Sequence, residues 1–171
     1  MSELNPLSNA TNPSALPRDR ATFIGTAYHK VSGKNQVAIP KHIKRILDEA
    51  QEGQLILMRW QKEPFLRLFT KKQFDKILDE VKRKPELSRA EQQNAVESLA
   101  RGAEPVDPDS QGRFVLPAKW MDALNIREEV AFTGAFTFVK ILAGEIQREL
   151  DRAEAEKLSG VTAQVTEILN M

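Results

Sequence analysis

Cysteine is absent from this 171-residue chain. That excludes disulfides and thiolate metal sites and makes a reducing cytoplasm the natural setting. Long apolar runs are missing too: no stretch approaches the roughly 20 consecutive apolar residues of a membrane helix. Met1–Arg20 has no apolar core of the kind a secretion signal needs; with Pro6, Pro13 and Pro17 it reads as a disordered polar tail. There is no glycine loop to cradle phosphate and no HExxH-type metal motif. Histidine is scarce, and its two copies, His29 and His42, sit among lysines that would repel a cation bound with Asp48. Glu104, Asp107 and Asp109 could be drawn as a hard-cation site, but they fit better as part of a linker, with Asp109 fixing a turn. No enzyme, metal, cofactor, small-molecule substrate or membrane partner is expected. An excess of one charge is also lacking, since 25 Lys and Arg face 24 Asp and Glu. Only the placement of charge can say anything about partners.

The chain does contain a repeat. Gln36-Val-Ala-Ile-Pro-Lys-His-Ile-Lys-Arg-Ile-Leu47 aligns with Arg113-Phe-Val-Leu-Pro-Ala-Lys-Trp-Met-Asp-Ala-Leu124, and Pro40 and Pro117 lie 77 residues apart. A proline with fixed φ and no N–H suits a helix start. Behind the first lie Ile43, Ile46, Leu47 and Ala50 at helical spacing; behind the second, Trp120, Ala123 and Leu124. Each copy then has two strand-like runs: Leu55–Trp60 and Phe65–Phe69, then Val130–Thr133 and Phe136–Ile141. Each copy therefore reads as strand, short helix, hairpin. Thr70…Gln73 and Ser88…Glu91 carry capping-box signatures for two helices after the first copy, the second stopping near Gly102. A charged helix is expected over about Gly144–Leu158, whereas Ser159–Met171 has no clear assignment. Such a unit is too small to be stable alone, so the two copies should pack together about a pseudo-two-fold axis. Trp60, Phe65 and Trp120 are either core residues or assembly contacts.

The copies differ in charge. Tyr28–Leu47 holds Lys30, Lys34, Lys41, Lys44 and Arg45, both histidines and no acid. The matching window, Pro105–Leu124, holds Arg113 and Lys119 against Asp107, Asp109 and Asp122. Five unopposed cations on a loop and helix start form a surface suited to phosphate.

His29-Lys-Val-Ser-Gly-Lys-Asn-Gln-Val-Ala-Ile-Pro40 and Asp109-Ser-Gln-Gly-Arg-Phe-Val-Leu-Pro117 resemble the paired motifs of the MraZ family, over roughly Phe23–Leu150. The resemblance implies an α+β fold: a duplicated AbrB-like, swapped-hairpin β-barrel module with short helices. Its first, DNA-facing module would span residues 21–84 and its second 85–158, between tails at 1–20 and 159–171. It implies a bacterial, sequence-specific transcriptional regulator, cytoplasmic and nucleoid-associated. Such a protein assembles as a homo-oligomeric ring and binds repeated promoter boxes of the division and cell-wall gene cluster on double-stranded DNA. The family signature is Asp-x-x-x-Arg in each half. The second half keeps it as Asp109 and Arg113, with Gly112 in the turn. In the first half Ser32 replaces the Asp, Asn35 the Gly and Gln36 the Arg. Asn tolerates the left-handed backbone the turn needs, but the guanidinium fork is gone. DNA binding is therefore expected from Lys30, Lys34, Lys41 and Lys44, with Gln36 as a reader and His42 helping below neutral pH. The alternative is a ring-forming scaffold that has lost DNA binding.

Overall fold

The structure, a computed structural model, describes residues 21–171; the tail expected over residues 1–20 lies outside the described residues. The first set of elements is β1 (Thr26–Lys30), β2 (Gln36–Ala38), α1 (Lys41–Glu49), β3 (Leu55–Met58), β4 (Leu66–Thr70) and α2 (Lys71–Lys82). After α3 (Arg89–Arg101) come β5 (Ala103–Val106), β6 (Arg113–Val115), α4 (Ala118–Ala123), β7 (Glu129–Gly134), β8 (Val139–Ala143) and α5 (Gly144–Lys157). A 3-10 turn at Leu158–Gly160 leads to α6 (Thr162–Leu169). The fold is mixed α+β.

Six strands form an antiparallel sheet in the order β1-β7-β8-β4-β3-β5, and β2 pairs with β6 in a two-stranded ribbon. Exchanging β1–β4 for β5–β8 turns that order into itself read from the other edge. β1 lies on β7 as β5 lies on β3, so each half adds its first strand to the hairpin of the other. β4 and β8 meet at the centre.

Strand alternation decides what the sheet covers. Leu55, Leu57, Leu66, Leu68, Val130, Phe132, Val139 and Ile141 point into one core. There they meet Ile43 and Leu47 of α1 and Trp120, Met121 and Leu124 of α4. Met58 and Phe69 point the other way, where Phe74 of α2 and Leu99 of α3 cover them. Both prolines stand one residue ahead of their helices, and their carbonyls accept from Lys44 N–H (2.9 Å) and Met121 N–H (3.1 Å). Ser88 and Glu91 complete a reciprocal capping box, while at Thr70 only the hydroxyl half forms, accepting from Gln73 N–H. Trp120 is core; Trp60 is half-buried beside the second cluster, and Phe65 lies under the cations of Arg67 and Lys140.

Besides β1, which the sequence reading leaves unassigned, three segments differ from the sequence expectation. Residues Gly102–Pro108, read as a linker, contain the edge strand β5, with Pro105 opposite Ile56. An edge strand tolerates proline because one row of its backbone groups has no strand partner. Phe136 falls outside β8, at φ +69° and exposed, its backbone bridged in both directions to Phe23. The unassigned C-terminal residues form α6, whose Val165, Ile168 and Leu169 are exposed.

Candidate nucleic-acid interface

The β2–β6 ribbon is framed by two turns built alike. In the second half, Asp109 N–H donates to the Arg113 carbonyl (2.9 Å) and Gly112 N–H to the Asp109 carbonyl (2.9 Å). Asp109 Oδ1 accepts from the backbone N–H groups of Gln111 and Arg113, both at 2.9 Å. In the first half, Ser32 N–H donates to the Gln36 carbonyl (2.9 Å) and Asn35 N–H to the Ser32 carbonyl (3.0 Å). Ser32 Oγ accepts from Gln36 N–H (3.2 Å) and, at longer range, Lys34 N–H (3.4 Å). Asn35 and Gly112 take the same left-handed backbone, φ +57° and +77°. The two halves differ at three matching positions, Ser32 and Asp109, Asn35 and Gly112, Gln36 and Arg113, yet the turn is the same in both. What differs is the ion pair: Arg113 Nε donates to Asp109 Oδ2 at 2.8 Å, which Ser32 and Gln36 cannot reproduce. The Arg113 backbone N–H, foremost, holds the Asp109 carboxyl below its usual range; the guanidinium and the Gln111 N–H add to this against some desolvation.

The ribbon register is Gln36↔Val115, Val37↔Phe114 and Ala38↔Arg113. Two further backbone bonds, Leu116 N–H to Asn35 carbonyl and Ile39 N–H to Gly112 carbonyl (both 2.8 Å), lengthen it at each end. Val37 and Phe114 are buried. By alternation Gln36, Ala38, Arg113 and Val115 therefore share the outward face. Gln36, Arg113 and Val115 also line a groove of about 310 Å³ with Glu104, Asp107 and Asp109.

The antiparallel pairing separates the predicted cations into two groups. Lys30 closes β1 and Lys34 sits in the first turn, both exposed at one end of the ribbon. Lys41 opens α1 beyond the other end. Arg45, one helical turn on, shares the exposed side with Lys41, an i,i+4 relation that the sequence site left out. Lys44 lies apart. Its ammonium is 2.9 Å from Asp48, and its chain runs past Gly112, where an added Cβ would meet Lys44 Cδ at 3.3 Å. His42 Nε2 hydrogen-bonds the Ile24 carbonyl (3.1 Å), and His29 Nδ1 the Ala38 carbonyl (2.7 Å). Both rings thus tie β1 and the residues before it to the ribbon and α1, and neither converges with Asp48. Among the described residues, Lys30, Lys34, Lys41 and Arg45 have no ion-pair partner, whereas Lys119 of the second half is paired with Glu104.

No family model matches the chain. It is 28% identical over 145 residues to the transcriptional regulator MraZ of Ruegeria sp. (strain TM1040), covering 80% of this chain and 86% of that protein. Against the transcriptional regulator MraZ of Bacteroides thetaiotaomicron it is 26% identical over 123 residues, 72% and 79% of the two chains. Against that of Ureaplasma urealyticum it is 26% identical over 143 residues, 84% and 96%. The class that these matches define is that of transcriptional regulators. The chain is similar over most of its length to members of the MraZ family, at 26–28% identity.

Proposed function

We propose that the chain is a sequence-specific regulator that binds double-stranded DNA through the β2–β6 ribbon. The observation that carries this reading is the ribbon with unpaired cations beyond both ends. From Asn35 to Ile39 it runs about 13 Å at ~3.3 Å per residue, enough to cross a major groove about 12 Å wide. Lys30 and Lys34 then meet phosphates on one rim, Lys41 and Arg45 those on the other. The ribbon's outward face is turned to base edges, a known mode for two-stranded readers. Lys44 and His42 take lesser parts, one beside Asp48 and the other on a carbonyl.

The symmetry of the strand order supports a duplicated AbrB-like, swapped-hairpin module, with residues 21–84 as the DNA-facing half and 85–158 as its counterpart. In keeping with its relatives' name, the protein acts in transcription and not as an enzyme. We place it on the nucleoid of the bacterial cytoplasm, assembled as a homo-oligomeric ring on repeated promoter boxes of the division and cell-wall genes. In a ring, weak sites add, because the second contact is made at high effective concentration. A scaffold that no longer binds DNA is the second reading. The acidic groove beside Gln36, which repels phosphate, favours it.

Titrating labelled duplex from upstream of the chain's own gene at several salt concentrations separates the two. A regulator gives log K falling linearly with log salt, and Lys34→Glu with Lys41→Glu abolishes binding while light scattering finds the same assembly. Absence of binding at low salt leaves the scaffold.

A further inference from the structure

We infer that Arg113, on the second-half strand, supplies the base-reading guanidinium that the first half lacks at Gln36, with Val115 as an apolar contact beside it. This rests on the regulator reading and names the reading residues. The two strands of the ribbon are equivalent by the exchange of halves, so Gln36 and Arg113 occupy matching places on one outward face. A ligand that spans this ribbon meets both.

The Arg113 side chain is set up for such a contact. Its described hydrogen bonds use the backbone N–H and Nε, both to Asp109, and neither terminal nitrogen of the fork carries one among them. A carboxylate on Nε fixes the plane of the guanidinium before any ligand arrives, which lowers the entropy lost on binding. The ligand that fits the fork is the O6/N7 edge of guanine in the major groove. Val115, the last residue of β6, is 59% exposed, whereas its neighbour Phe114 is buried. Core packing gives no reason for an apolar side chain there, whereas the methyl group of thymine does. Gln36, opposite Val115, suits an adenine edge. The carboxylates of the flanking groove repel fully charged phosphate more strongly than uncharged base edges, so this face reads bases while the lysines at the ribbon ends hold the backbone.

The test selects duplexes from a library with a randomised centre, using full-length wild type, Arg113→Lys and Val115→Ser in parallel. Arg113→Lys keeps the charge and loses the fork. The expected result is a wild-type consensus containing a guanine that the Arg113→Lys consensus loses, with the ratio of selected to scrambled affinity falling tenfold or more. The salt slope should stay as in wild type. Val115→Ser, at an exposed site where folding is not at risk, should lose a thymine preference. An unchanged consensus and ratio in both variants overturns the inference while leaving the regulator reading intact. A wild type that binds no duplex at low salt overturns both, and is recognised by the absence of any consensus.

Discussion

Lys41 and Lys44 look interchangeable in the sequence, three residues apart on one helix, yet their surroundings predict opposite results when each is neutralised. Lys44 already holds Asp48 at 2.9 Å, whereas Lys41 is exposed and has no ion-pair partner among the described residues. Each phosphate neutralised by a cation contributes about 0.9 to the slope of log K against log salt. If Lys30, Lys34, Lys41 and Arg45 each take one, the slope is about −3.6, a loss of about 150-fold in affinity between 50 and 200 mM salt. Lys41→Gln should flatten it to about −2.7, leaving a loss of about 40-fold over the same range. Replacing the pair together, Lys44→Gln with Asp48→Asn, should leave the slope near −3.6. Lys82→Gln removes one positive charge from α2, which packs on the opposite face of the sheet, and serves as the control for total charge. Fluorescence anisotropy of a labelled duplex at five or so salt concentrations resolves a difference of 0.9 in slope. If Lys82→Gln flattens the line as much as Lys41→Gln, the attraction is a property of the whole molecule and the two-ended clamp is refuted. If the Lys44/Asp48 pair does so, the pairing seen on α1 has no bearing on DNA.

Other outcomes follow from the turns and the core. Because the folded Asp109 carboxyl titrates below its usual range, it stabilises the second turn at pH above the ordinary aspartate value and loses that contribution as pH falls through its lowered one. The amide signal of Gly112 should therefore move in the acid range while that of Asn35, held by the non-titrating Ser32 hydroxyl, does not; titration of Asp109 at or above its ordinary value would contradict this. Gly112→Ala places a Cβ at positive φ and should cost about 1–2 kcal/mol in chemical denaturation. Asn35→Gly, which removes a Cβ from the same backbone conformation, should cost less, and equal losses would mean the two turns are not alike. Ile43 is fully buried under α1, so Ile43→Ala should cost about 2–5 kcal/mol. DNA affinity measured well below the melting temperature should nevertheless change little, since Ile43 faces away from Lys41 and Arg45.

The elements legible in the sequence were those whose signal is local. Pro40 and Pro117 mark both helix starts, the capping box at Ser88 and Glu91 forms in full, and the apolar runs give the two hairpins. β1 went unassigned because none of its residues is fully buried and its polarity hides the strand. β5 was concealed by Pro105, which only an edge position allows. α6 had neither a cap nor a buried residue to announce it. The candidate site was legible as composition, five cations and no acid, but composition has no direction. That Lys30 and Lys34 lie at one end of a ribbon and Lys41 and Arg45 beyond the other follows from the pairing of β2 with β6, a contact between residues some 77 positions apart in sequence.

That long-range pairing also explains how the two halves can differ at their turn positions and still share one fold. Among the described residues β1 pairs with β7 alone and β5 with β3 alone, so neither half completes the sheet from its own residues. The buried faces that make the exchange possible, Val37 with Phe114 and Leu66 with Ile141, are tied to each other and conserve their apolar character on both sides of the symmetry. The outward face is under no such constraint. Ser32 keeps the turn with a neutral hydroxyl where Asp109 uses a carboxylate, because the backbone donors the turn must satisfy are the same in both. Charge on the exposed positions is therefore free to diverge without a penalty in packing, and it has diverged toward lysine in one half and toward carboxylate in the other. If the ribbon binds DNA as proposed, a surface with two such unlike flanks should favour one orientation on the polyanion, which would give a nearly symmetric scaffold a direction along the duplex.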